Sequence, residues 1–199
     1  MDYGIEVDGN TRQINRETLY SGGRYFLGLN HYFISFPRYN QYLLFSSNNL
    51  THCKWRTKQG NSLEDTTLTD SSIICRTRDG IKLIVEVSIE FQLATQKQND
   101  QIISQLLYIF NSVGFEWNQL VLSISKGVTM DIFTQYNVSE VYSKRNEIQS
   151  LLFDELNFQL ASHNFQLNSA LILHIEFPRE LVDSLESVEV TMQNILSAK

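Results

Sequence analysis

From Ile81 to Leu93 the chain alternates in a single phase. Ile81, Leu83, Val85, Val87, Ile89, Phe91 and Leu93 are apolar, and the residues between them are polar apart from Ile84. A period of two puts the apolar side chains on one side only if the backbone is extended, so this stretch is expected to be one long half-buried strand. Asp79-Gly80 just upstream is a residue pair suited to the positive φ angles of a tight hairpin turn. The segment ending at Arg76 should therefore fold back along the strand. Nothing catalytic interrupts this stretch, and its apolar side needs a second layer to cover it.

The rest of the chain divides by period. Between Tyr3 and about Ser46 the reading is short antiparallel strands: Tyr3 to Asp8 alternates, Gly9-Asn10 turns, and Gly22-Gly23 precedes a run rich in Tyr, Phe and Ile. Ser47 to Ser72 shifts to Ser, Asn, Thr, Gly and Asp and reads as a surface loop between strands. Beyond Leu93 the period becomes helical. Ile102, Leu106, Ile109 and Phe110 suit a first helix that stops near Gly114, and Trp117, Leu120, Val121, Ile124, Val128 and Ile132 suit a second. A third has Ser139 and Ser143 available as N-caps and a stripe of Ile148, Leu151, Leu152, Leu156 and Leu160. Leu167, Leu171, Leu173, Ile175 and Phe177 alternate as a closing strand, on whose small sheet the helices would lie. Pro178 opens a last helix in which Leu181, Leu185, Val188, Met192 and Ile195 follow the a/d rhythm of a coiled-coil seam, with packing onto the domain as the alternative.

Composition removes several function classes. The chain has 199 residues, 42% hydrophobic and 19% charged, which suits a globular domain with a real core. A formal charge of -6 argues against nucleic acid as a partner, because that affinity rests on Lys and Arg neutralising phosphates. Cys53 and Cys75 form no CxxC pair and are expected to be packing residues in a reducing, intracellular compartment. No run reaches the roughly 18 apolar residues of a membrane-spanning helix, so the chain is expected to be soluble. His31, His52, His163 and His174 form no metal-binding spacing, and there is no GxSxG, GxxxxGK[ST] or GxGxxG segment. No catalytic, cofactor-binding or metal residues are therefore assigned. Glu86 and Glu90 read as the solvated face of the long strand.

Two clusters remain as contact candidates. Arg24, Tyr32, Phe33, Phe36 and Arg38 belong to an aromatic stretch flanked by cations, fit for a membrane interface or a neighbouring subunit. His52, Lys54, Trp55 and Arg56 form an island in the polar loop that suits a partner contact.

Several segments together resemble the SPFH domain, also called band 7 or the prohibitin/stomatin domain, and in spelling they resemble band 7 proteins of ciliates and similar protists. Tyr20-x-x-Gly-Arg-Tyr-Phe-Leu-Gly28 is similar to the family's early glycine-arginine segment, and His31 to Pro37 to the stretch after it. Arg76-Thr-Arg-Asp-Gly80 matches the hairpin, Arg145 with Glu147-Ile148 the start of the long helix, and Phe177-Pro178 with Leu181 and Val182 the exit into the last helix.

The resemblance implies an α+β domain over residues 1–177, mainly a β meander in 1–95 and helical with a closing strand in 96–177. Residues 178–199 would begin a coiled coil. It also implies a non-enzymatic scaffold, peripheral at a membrane, that assembles with itself or other SPFH proteins; mitochondrial and other organelle membranes are left open. The alternative is a soluble accessory subunit of a larger complex that uses the domain to bind proteins. The family's membrane segment normally lies just before the position of Tyr3, so the chain is expected to be either a trimmed piece or a form without its anchor. The Ser47–Ser72 loop is longer than the family usually places there.

Overall fold

The structure, a computed structural model, describes residues 2–47, 67–93, 99–114 and 117–178. Strands β1 (Tyr3–Asp8), β2 (Ile14–Ser21) and β3 (His31–Phe36) form an antiparallel sheet in the order β2-β1-β3. The expected meander is thus replaced by a sheet with β1 in the middle. Ile5, Val7, Ile34 and Phe36 enter the core from one side of it.

The long strand β7 (Lys82–Leu93) organises the second sheet. Its odd positions are buried and its even positions are not, as the alternation requires. β8 (Phe165–Glu176) pairs with residues 84–93 of β7 along one edge. β4 (Gln41–Phe45) and β6 (Ile73–Arg76) pair with 87–91 and 82–85, sharing the other edge end to end. β5 (Thr67–Asp70) adds to β4 in parallel. The end of the supposed surface loop is therefore a strand, and residues 48–66 lie outside the described residues. The closing strand does not make a separate small sheet; it joins the sheet of the long strand.

Helices α1 (Asn99–Val113), α2 (Trp117–Phe133), α3 (Val138–Ser143) and α4 (Arg145–Ser162) follow. α1 ends at Gly114, whose φ of 72° and N–H to the Phe110 carbonyl close the helix as expected. α4 packs on β8, α2 on β6 and α4, and α1 against β2. Ile148, Leu152, Leu156 and Leu160 of α4 are buried in the same core as Leu83, Val85, Val87 and Ile89 of β7. Phe91, Trp117 and Phe165 meet with ring centroids 5.9 to 6.4 Å apart. Such pairs add about 0.5–1.5 kcal/mol beyond their burial. Cys75, opposite Leu83, is buried in the same core and its thiol is pushed up to about 12 by burial, which makes it a packing residue.

The turn between β6 and β7 corrects two expectations. Only Gly80 has positive φ, at 79°, and Asp79 does not. Thr77 N–H donates to the Ile81 carbonyl and Gly80 N–H to the Thr77 carbonyl, so the connection is longer than a two-residue turn. Asp79 is retained for another reason: its Oδ2 accepts the Val138 N–H at the start of α3, at 3.2 Å. Arg78 donates to Asn137 Oδ1 at 2.8 Å. Asn137, not Ser139, is the N-cap of α3, and Lys144, not Ser143, precedes α4. Ser139 lies inside α3, whose start is closed by the Glu140 carboxylate accepting the Asn137 N–H at 2.9 Å, and the Ser143 hydroxyl donates back to the Ser139 carbonyl at 2.9 Å.

Candidate functional site

The chain between β2 and β3 must travel from the Tyr3 end of the small sheet back to its Asp8 end, since Tyr3 pairs with Ser21 and Asp8 with His31. It does so as a strap, residues 22–30, anchored on the sheet's outer surface. Tyr25 packs edge-on against Tyr20 at 4.8 Å and Phe33 at 6.1 Å, and its hydroxyl donates to the Gly22 carbonyl at 2.8 Å. At the far end Gly9 N–H donates to the Asn30 carbonyl at 2.9 Å. A Cβ on Gly9 would lie 2.5 Å from that oxygen, so only glycine allows the approach.

Under the strap Glu6 gathers donors. Tyr20 Oη donates to Oε2 and His31 Nδ1 to Oε1, each at 2.7 Å. These bonds hold Glu6 below the ordinary carboxylate value, the Tyr20 hydroxyl first and His31 second, and the same bond raises Tyr20. Asp8 is likewise lowered, chiefly by the Thr11 hydroxyl and the Asn10 N–H. The cluster fixes the strap's two ends to β1. Among the described residues no group of three or more His, Cys, Asp or Glu is arranged to hold a metal ion.

The strap leaves its own apolar residues outside. Phe26 is 103% and Leu29 95% exposed, beside exposed Arg24 and half-exposed Tyr25 and Tyr32. Of the aromatic residues expected at a contact surface, Tyr32 is therefore outside and Phe33 is half-buried under the strap. Phe36 is a correction: it is 1% exposed, because Ile34 and Phe36 share the inward phase of β3. Arg38 is exposed and stacks over the Tyr3 ring, 5.6 Å from its centroid. Phe26 belongs to the dense aromatic stretch of the sequence, and Leu29 joins it on the strap only in the structure; neither lies in a periodic segment that would bury it.

A second unburied surface lies on the outer face of the five-stranded sheet. β8 bulges at two places, between Glu86/Val87 and between Glu90/Phe91 of its partner strand. Each bulge reverses the phase, so Ala170 and Ile172 turn inward while Leu171 and Leu173, expected in the core, are each 46% exposed. Ile74 and Tyr42 stand on the same outer face, directly across β7 residues Ile84 and Glu90. Glu86 and Glu90 are half-buried there, not simply solvated. Glu86 accepts from the Ser47 hydroxyl at 2.6 Å and its N–H at 2.8 Å, which lower its pKa; Glu90 accepts from Asn40 at 2.6 Å and raises the Tyr42 hydroxyl. His174 is exposed opposite Glu86.

The loop candidates His52, Lys54, Trp55 and Arg56 and the seam candidates Leu181, Leu185, Val188, Met192 and Ile195 lie outside the described residues. Among the described residues no helix is long and apolar enough to cross a membrane.

Comparison with known proteins agrees with the architecture. A prohibitin-2 from Dictyostelium discoideum is 29% identical over 98 residues, 49% of this chain and 33% of that protein. Prohibitin-4, mitochondrial, and prohibitin-3, mitochondrial, of Arabidopsis thaliana are each 26% identical over 98 residues, 49% of this chain and 35% of each relative. The matched stretch thus spans about a third of the relatives' length. The family profile described as SPFH domain / Band 7 family matches residues 5–198. With this match lying over a β7-centred sheet, its helical cover and the Asp79-Gly80 hairpin, the chain belongs to the SPFH domain / Band 7 family.

Proposed function

We propose that this chain is a unit of a non-enzymatic, membrane-associated scaffold that oligomerises with itself or other SPFH proteins and organises lipids or partner proteins. The observation that carries the reading is apolar surface left outside a well-filled core: Phe26 and Leu29 on the strap, Leu171 and Leu173 on the sheet. A domain that buries Phe36, Phe45, Phe91, Phe133 and Phe165 almost completely has no packing reason to leave those four outside. Family membership supports the scaffold, and the mitochondrial relatives support a place at an organelle membrane. The island at His52 to Arg56 and the seam from Leu181 to Ile195 belong to the same proposal, as partner loop and as oligomer contact.

The second reading is an accessory subunit whose domain binds proteins alone, favoured by the flat, half-apolar face around Leu171 and Leu173. Native mass of the full-length protein, together with flotation on liposomes, separates the two. Assembly with flotation supports the membrane scaffold; assembly without flotation supports the accessory subunit; a protein that stays monomeric and does not float overturns both.

A further inference from the structure

We propose that Tyr142 is a positioning residue that fixes the direction in which the chain leaves the domain after β8, by holding the ring of Phe177. The inference goes beyond the scaffold reading and does not depend on it. Pairing of β8 with β7 ends at Glu176, opposite Ile84. Phe177 follows outside that ladder, and Pro178 has no N–H with which to extend it. The hold on the chain at its exit must therefore come from side chains. Phe177 is half-buried against the core, and the Tyr142 ring meets it edge-on with 6.2 Å between centroids.

Tyr142 is a firm support although it is itself 56% exposed. It stands on α3, whose Val138 and Val141 are buried and whose start is tied to the β6–β7 hairpin by Asp79 and Arg78. Three residues further on, Arg145 reaches the Ile172 and Leu173 carbonyls. The corner between α3 and α4 thus holds the last part of β8 at two places, its bulge and its exit. Backbone sterics add to this, because a residue before proline is confined to extended conformations. With the Phe177 ring seated and its backbone so limited, the chain passes Pro178 along one course. An edge-to-face pair favours the seated ring by about two- to tenfold. A seam from Leu181 to Ile195 would need such a fixed course to meet its counterpart in register.

The experiment places spin labels, as noncanonical amino acids, at exposed Asn157 of α4 and at Gln193 of the full-length protein. Labelled copies are diluted among unlabelled ones, so the distances are read within one chain whether or not it assembles. The wild type should give one dominant distance. Tyr142→Ala should raise the population outside that peak by about two- to tenfold with little change in the thermal melt, and Tyr142→Phe, which keeps the ring, should match the wild type. Phe177→Leu should broaden the distances as Tyr142→Ala does, and the two together should broaden them no further than either alone. A wild type that is already broad overturns the inference. So does a Tyr142→Ala distribution equal to the wild type's, or one that broadens only with a large drop in melting temperature, which would make Tyr142 a support of the fold alone. Native mass of the same samples reports separately on the scaffold reading.

Discussion

Asp79 Oδ2 accepts the backbone N–H of Val138 at 3.2 Å, so the tip of the β6–β7 hairpin caps a helix 59 residues further along the chain. Arg78 reinforces the joint, its N–H donating to the Tyr136 carbonyl at 2.9 Å and its Nε to Asn137 at 2.8 Å. Removing the acceptor leaves a first-turn N–H without a partner. Asp79→Ala should therefore cost about 1 kcal/mol, and Asp79→Asn, which keeps an oxygen, distinctly less. Urea midpoints of the two variants check this, and equal losses would mean that the carboxylate is not the cap.

The inner and outer faces of β7 should respond differently to charge. Val87 is fully buried, and Val87→Asp places an unpaired carboxylate in the core at a cost of roughly 4 kcal/mol or more. Glu86→Lys loses the bonds to Ser46 and Ser47 and should cost about 1 kcal/mol, against the near silence that a freely solvated residue would give. Thermal melts of both variants test the assignment of faces.

Acid should weaken the fold through its lowered carboxylates. Glu6, Asp8, Glu86 and Glu140 are each held below the ordinary carboxylate value, chiefly by the hydrogen bonds they accept. For a depressed carboxylate the stabilisation is complete above the unfolded value and is lost as pH falls through the folded one. Stability should hold near neutrality and decline from about pH 5 to about pH 3, with Glu86→Gln making the decline shallower. Urea midpoints across that range are the measurement, and a flat profile would contradict it.

Arg145 closes the bulge in β8 by donating to the Ile172 and Leu173 carbonyls at 2.7 and 2.9 Å, and Gln149 Oε1 accepts the Ile172 N–H at 3.3 Å. This occupies backbone groups on the edge of β8 that faces away from β7. Arg145→Ala should cost about 1–2 kcal/mol. It should also increase concentration-dependent aggregation through the opened edge. Arg145→Lys should restore part of the stability, because an ammonium keeps the charge and N–H donors but not the planar geometry with which one guanidinium nitrogen reaches both carbonyls. Light scattering alongside a melting curve distinguishes the two effects.

The alternation from Ile81 to Leu93 determined the central strand and its buried face by itself, because one period over so many residues admits no competing conformation. The same holds for the helix stripe Ile148, Leu152, Leu156 and Leu160, and the ordered segments carried the family. Only tertiary structure decided the phase of β8: a bulge is one residue unpaired against a neighbouring strand, and nothing local in Leu167 to Phe177 records where β7 will demand it. Tertiary structure alone also put Phe36 in the core and Phe26 in water, although the two are chemically identical and lie in one aromatic run. A strand's phase governs the first. The second lies on a strap whose path is set by Glu6, Tyr20 and His31, residues far apart in the chain that meet only once the sheet has formed.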